Sequence, residues 1–428
     1  MSIAAGSAGG QLMLLLAAPV LARLYGPTDF GLFTVLTTLA ATVSAVAAGR
    51  FELAVPLAEQ DREAQDLALV GLVTALATAL LATAVVAATR DEVAALFDHS
   101  ALRTWLWLAP WTAAAMAAVQ VLNQIAIRHR RYGAIGRRNF LQALATLLTQ
   151  LGAGALAIRS GGLALGLCVG HVVGAVSLLK GTKLRRIASV PAPQRRSLWR
   201  VAVTHRRFPL LLAPAGLLNV LGLQLPVLLI AFYYGTEVAG WLGLAQRMLA
   251  LPVALIGMAI AQVYLAEISK AARTGSGNAR ALFLRTSRQL GVVAGAGALL
   301  IGLGAPRVFA FVFGPEWTTS GVYAQALAVF VGAQFVGSPL SQTLIVFGRQ
   351  GLQLAWDVGR TLLVAAAVTV PALVGASALT AVWAFGLTAS LAYGASWLLS
   401  LHTVNATQRP KEPSTGDNAS LTLAHIDR

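Results

Sequence analysis

The chain has 428 residues, of which 57% are hydrophobic and only 11% charged, and it carries a net charge of +16. A soluble domain carries about a quarter charged residues, so composition excludes an ordinary water-soluble protein. The single cysteine, Cys168, excludes an internal disulfide and a cysteine-based metal cluster.

Apolar runs of membrane-spanning length recur from end to end, each able to cross a hydrocarbon core of about 30 Å. The first, Ile3 to Ala22, lacks a basic leader and reads as an uncleaved helix, preceded by so little chain that an upstream start is expected. Hydropathy places twelve spans at 3–22, 30–49, 66–89, 104–127, 139–158, 163–179, 209–233, 238–262, 290–305, 318–346, 358–375 and 379–401. The expected fold is an all-α polytopic membrane protein. It is divided into an N-terminal lobe (1–179), a basic cytoplasmic linker (180–208), a C-terminal lobe (209–401) and a disordered tail (402–428).

Lys and Arg concentrate in the loops after even-numbered spans, as in Arg128, Arg130, Arg131, Arg137 and Arg138, and again from Lys180 to Arg207. Cytoplasmic loops concentrate basic residues, so both termini are expected in the cytoplasm. The same bias accounts for the positive charge without nucleic acid as a partner.

Residues 23–33, RLYGPTDFGLF, align without gaps on 232–242, FYYGTEVAGWL, so that Tyr25, Gly26 and Gly31 match Tyr234, Gly235 and Gly240. Gln124, Arg131 and Gly133 likewise match Gln342, Arg349 and Gly351. An even number of spans per half keeps both halves in one orientation, so the expected symmetry is a parallel pseudo-two-fold repeat about the membrane normal.

No phosphate-binding loop of the G-x-x-x-x-G-K-[ST] type is present, and the six histidines form no H-E-x-x-H pair. Neither an enzyme nor a bound cofactor or metal is expected. The exception to the apolar monotony is Arg247, in GWLGLAQRMLALPVALIGM. An arginine near the bilayer centre costs about 2.5–3.5 kcal/mol on insertion scales. Three readings are open: an anion-binding residue on a cavity, a side chain snorkelling to the outer interface, or one pinned by a carbonyl of a broken neighbouring helix. Asp29, Glu52, Asp66, Glu237, Glu267, Glu316 and Asp357 all fall near the ends of the spans read from hydropathy. A cation carrier would need a buried carboxylate, so the balance favours an anionic ligand such as a phosphate. Pro214 and Pro226 flank Asn219 and Gln224 in span seven, as in a bent, cavity-lining helix.

Three stretches carry a family resemblance: PVLARLYGPTDFGLFTVL with RFELAVPLAEQDREA, the long segment from Phe208 to Leu265, and VFGPEW with QFVGSPLSQTLIVFGRQ. In these the chain resembles polysaccharide-repeat flippases of the O-antigen and capsule type, within the multidrug/oligosaccharidyl-lipid/polysaccharide exporter superfamily. The resemblance implies a substrate made of an oligosaccharide repeat on polyprenyl diphosphate, moved outward across the bilayer by alternating access. It also implies glycan polymerase or glycosyltransferase partners. Lipid II flippases of the superfamily have a similar A-x-R-[LM]-x-x-x-P stretch, and Arg247 matches its arginine, implying diphosphate binding. Arg23 in ARLYG and Arg50 before FELAVPLAE match more loosely, and the early basic cluster of the lipid II branch is absent. Further polar candidates for the cavity are Gln246, Asn123, Gln124 and Gln342 beside Asn219 and Gln224; each also suits helix packing. A drug exporter of the same superfamily is the alternative; a glycan polymerase or ligase is disfavoured by the short outer loops.

Overall fold

The computed structural model describes residues 3–180, 198–274 and 278–407, and among these the chain is helical without a strand. Twelve long helices match the twelve apolar runs. The first lobe contains α1 (Ile3–Leu24), α2 (Pro27–Ala47), α3 (Asp61–Leu96), the short α4 (Ser100–Trp105), α5 (Leu108–Arg128), α6 (Tyr132–Ala155) and α7 (Arg159–Leu179). After the short α8 (Leu198–Thr204), the second lobe contains α9 (Ala213–Tyr234), α10 (Thr236–Thr274), α11 (Ala279–Phe313) and α12 (Thr318–Leu340). It ends with the short α13 (Gln342–Val346), α14 (Gln350–Leu373) and α15 (Ala378–Thr407).

Among the described residues, eight helices are individually long and apolar enough to cross a membrane, and α1 adds a shorter apolar stretch, Gly9–Leu24. The long helices α5 and α6 bear polar groups such as Asn123 and Arg138. Neighbouring helices shelter such groups, so a hydropathy window undervalues them. Most of the linker expected at 180–208 lies outside the described residues, as does the tail after Thr407. The part that is described forms α8, whose Val201 enters the N-terminal lobe's core.

The repeat is visible in both packing and backbone. In each lobe the first helix packs on the fifth, the fifth on the sixth, the sixth on the fourth, and the fourth on both second and third. Left-handed backbone recurs at matching turns: Arg130 with Gly348, Ala157 with Gly375, and Asp98 with Gly314. Arg131 and Arg349, paired by sequence alone, are the N-caps of α6 and α14.

The lobes join unevenly. At the end holding the α1–α2 turn they share one core, in which Phe30, Leu36, Ile230, Leu242 and Trp317 are all buried. A Cβ at Gly31 would run into the carbonyl oxygen of Thr236, and one at Gly240 into that of Pro27. Gly31 and Pro27 correspond to Gly240 and Thr236 in the repeat, so α2 and α10 cross in one self-matching contact. Across the same end, Trp317 donates its indole N–H to the Ala22 carbonyl at 3.0 Å, and its ring meets Phe30 edge-on at 4.9 Å.

At the opposite end each lobe has a separate core, one around Phe51, Leu67 and Leu122, the other around Tyr264, Phe283 and Leu340. The two-fold also fails in one contact: α2 packs along α9, whereas their counterparts α10 and α1 scarcely touch. Near the α2–α3 turn, Arg50 in left-handed conformation lies over Gly216 of α9 and reaches Glu52 at 3.7 Å.

Two outcomes follow. Gly240→Val forces the Pro27 backbone away and should cost about 1–3 kcal/mol as an overpacked interface, read as a lower melting temperature with an increased spin-label distance between α2 and α10. Glu52 is buried, and desolvation raises its carboxyl pKa above the ordinary 4.5, against its own backbone hydrogen bond and Arg50. A raised folded pKa means that the ionised form destabilises, and that protonation restores stability as pH falls. Glu52→Gln should therefore melt higher than the parent at pH 8, with the gain shrinking as pH is lowered toward 4.5; a gain that grows on acidification would refute this.

Candidate functional site

Arg247 lies eleven residues into α10, about 17 Å along its axis at 1.5 Å per residue. Its side chain remains accessible and lines a space between the helices. That space is a cavity of about 210 Å³ lined by α1, α2, α6, α7 and α10, and it occupies the gap where α1 and α10 fail to pack.

Among the described residues, Arg247 is the one charged side chain lining the cavity. Its guanidinium carbon stands 4.5 Å from the centroid of the Phe33 ring. That ring is buried in the shared core, so the contact fixes the cation by attraction to the π face while leaving its in-plane N–H donors free. Among the described residues Arg247 forms no ion pair and no hydrogen bond. Gln11 of α1 adds an exposed polar side chain to the wall. Gln150 also borders the cavity, but its amide donates to the Leu163 carbonyl at 2.9 Å, and its backbone carbonyl accepts the Tyr25 hydroxyl at 2.6 Å. The result is a small, mostly apolar chamber with one fixed cation. It offers planar donors to an anion, and its lining holds no carboxylate for a cation among the described residues. Among the described residues no cluster of His, Cys, Asp and Glu could hold a metal ion.

The three candidate arginines do not converge. Arg23 is exposed in the last turn of α1, and Arg50 sits at the α2–α3 end against α9; neither lines the cavity. Gln246 is half-buried beside Arg247 without reaching the cavity, Asn219 is exposed on α9, and Gln224, Gln124 and Gln342 are half-buried elsewhere. Asn123 belongs to a network inside the first lobe. Its amide oxygen accepts from Arg138 at 3.0 Å, Arg138 also donates to Gln142 at 3.0 Å, and Gln142 meets His171 at 3.2 Å. His171 thus serves as a packing partner within a polar network.

The second lobe holds a buried cation that the sequence reading passed over. Arg360 donates to the Tyr393 hydroxyl at 3.2 Å, packs over Trp356 and lies 3.4 Å from Asp357. The expectation that Asp357 falls near a span end is corrected here: it is the eighth residue of the 24-residue α14. The first two turns of α14 are amphipathic, so hydropathy placed the start of the span too late. Phe33, Gln11 and Tyr393 were missed because each acts through a residue distant in sequence, whereas Trp356 and Asp357 lie within one turn of Arg360. A polar Gln11 in an otherwise apolar first run was the one signal available.

The profile of the family described as "Polysaccharide biosynthesis protein" matches residues 20–321. No curated protein matches the sequence. Among solved structures, the chain is similar to a lipid II flippase, MurJ, in an inward closed conformation. The TM-score is 0.73 at 11% identity, covering 95% of this chain and 89% of that one. It is similar also to an inward-facing multidrug resistance MATE family transporter of the MOP superfamily, with TM-score 0.69 at 15% identity and coverage of 96% and 97%. A third is a MOP superfamily transporter from Pyrococcus furiosus with a binding pocket of reversed polarity; its TM-score is 0.63 at 14% identity, covering 95% and 94%. A fold common to flippases and exporters, and a profile match over most of its length, identify this polytopic membrane protein as a member of the polysaccharide biosynthesis protein family.

Proposed function

We propose that this protein is a flippase for polyprenyl-diphosphate-linked oligosaccharide repeats, carrying them from the cytoplasmic to the periplasmic leaflet of a bacterial inner membrane. The observation that carries this reading is Arg247, a cation without a counter-ion on the wall of an internal cavity. A diphosphate is the natural counter-ion, since the guanidinium fork pairs with phosphate oxygens through two parallel hydrogen bonds. Family membership supplies the link to surface glycans, and the lipid II flippase shows that the fold can serve a lipid-linked substrate.

The uneven union of the lobes supports alternating access. A shared core seals the α1–α2 end, and the separate cores leave the other end free to part. The excess of Lys and Arg in the loops at that other end orients it, with both termini, toward the cytoplasm. Loading from the cytoplasmic leaflet and delivery to a periplasmic polymerase complete the cycle. The exporter alternative rests on the fold shared with multidrug transporters; a cationic drug would meet Arg247 where it needs a carboxylate.

Depletion of the protein should make a defined polyprenyl-diphosphate glycan accumulate, measured by mass spectrometry, together with loss of the surface polymer. Arg247→Ala should reproduce that accumulation at normal protein abundance, with transport down about 10- to 100-fold for one lost charged hydrogen-bonding group. Arg247→Lys should retain part of the activity. Full transport by Arg247→Ala, or an unchanged lipid pool where no second transporter exists, would move the assignment to the exporter branch.

A further inference from the structure

Met248 borders two cavities of opposite character. One is the Arg247 chamber; the other is a groove of about 260 Å³ between α10, α11 and α12. No ionisable side chain lines that groove. Leu249, Ile301, Val331 and Phe335 wall it, and small residues such as Gly297 and Gly332 notch it. Beside it, Leu299, Leu300 and Leu303 of α11 are largely exposed, as befits a face turned to lipid. The gap between α1 and α10 leads from the Arg247 chamber toward this same flank, since α1 next touches α11.

We propose that the groove seats the first isoprene units of the lipid whose diphosphate is held by Arg247. This rests on the reading of Arg247 as the diphosphate site. A ligand anchored by an anionic group beside Met248 must continue along that residue, and the continuation is apolar throughout. An isoprenoid chain suits such walls better than a straight one, because its regular methyl branches fill the notches left by glycine and alanine. Bilayer tails are as apolar as the groove, so the gain comes from van der Waals packing and not from hydrophobic transfer. The groove therefore aligns the carrier more than it adds affinity. Recognition then falls on the lipid diphosphate, and the glycan is left free to vary.

The test uses the full chain in phosphatidylcholine nanodiscs. The probes are inorganic diphosphate and a farnesyl diphosphate bearing a diazirine on its first isoprene unit. The photoprobe should label the α11 stretch Ala294–Ile301 and the α12 stretch Ala328–Phe335. A Cβ at Gly297 meets nothing within 4 Å, so Gly297→Phe can enter the groove without a backbone clash at its first atom. It should reduce labelling about fivefold, the packing of a handful of atoms, with inorganic diphosphate binding unchanged. Gly295→Phe, equally unhindered but outside the groove, should change neither. Arg247→Gln should lose both probes. Labelling that maps elsewhere, that survives Gly297→Phe, or that falls together with diphosphate binding in Gly297→Phe would overturn the groove. If Arg247→Gln loses both probes in any of those cases, the diphosphate reading stands alone. If Arg247→Gln binds both as the parent does, that reading falls.

Discussion

The crossing of α2 over α10 governs the architecture. Gly31 and Gly240 let the two helices approach until each glycine touches the other helix's backbone. Such closeness matters in a bilayer, where lipid tails are as apolar as leucine and association comes from packing. The contact is self-matching because α2 and α10 are counterparts in the repeat, so one local sequence, written twice, joins the lobes. Trp317 then ties the joint to α1 through an indole hydrogen bond to Ala22 and to α2 through an edge-on contact with Phe30. Everything between the lobes at the far end is left to lie open or closed without breaking this joint.

The cavity is a consequence of imperfect symmetry. A strict two-fold would bring α10 against α1 as α2 lies against α9, and Arg247 would then be buried without a counter-charge. An ion in that position costs several kcal/mol even after relaxation. The gap resolves the conflict by giving the guanidinium an accessible space, and Phe33 supplies a partner that takes up none of its in-plane donors. The buried arginines deeper in each lobe follow the opposite rule. Arg138 and Arg360 are enclosed, and both engage neighbouring side chains through their terminal guanidinium nitrogens, leaving only Nε unpaired. Three intramembrane arginines thus sort into two held by partners and one left without.

Much of the fold was legible because each membrane span writes itself locally. An apolar run of about 20 residues needs no tertiary information to be read, and all twelve long helices fell where such runs lie. The repeat was legible through Gly31 and Gly240 because those residues are the lobe contact itself. Arg131 and Arg349 were legible because both cap a helix after a left-handed turn. What failed to show was whatever depends on which helices become neighbours. Arg23 and Arg50 were the looser matches beside Arg247, and nothing local in the sequence showed that they sit at different levels of the bundle. Asp357 was hidden by the amphipathic start of α14, whose polar side turns inward to Arg360 and Tyr393.

The length of α10 has a mechanical meaning. Its 39 residues extend about 58 Å, nearly twice the hydrocarbon thickness. The glycine contact sits near one tip, so about 51 Å of rod lies beyond it. Pivoting there by roughly 10° would swing the free tip by roughly 9 Å, whereas the crossing point would stay almost still. With the pivot in the joint and the cation part-way along the arm, α10 has the proportions of a lever. Small adjustments around a bound anion can become large displacements at the membrane surface.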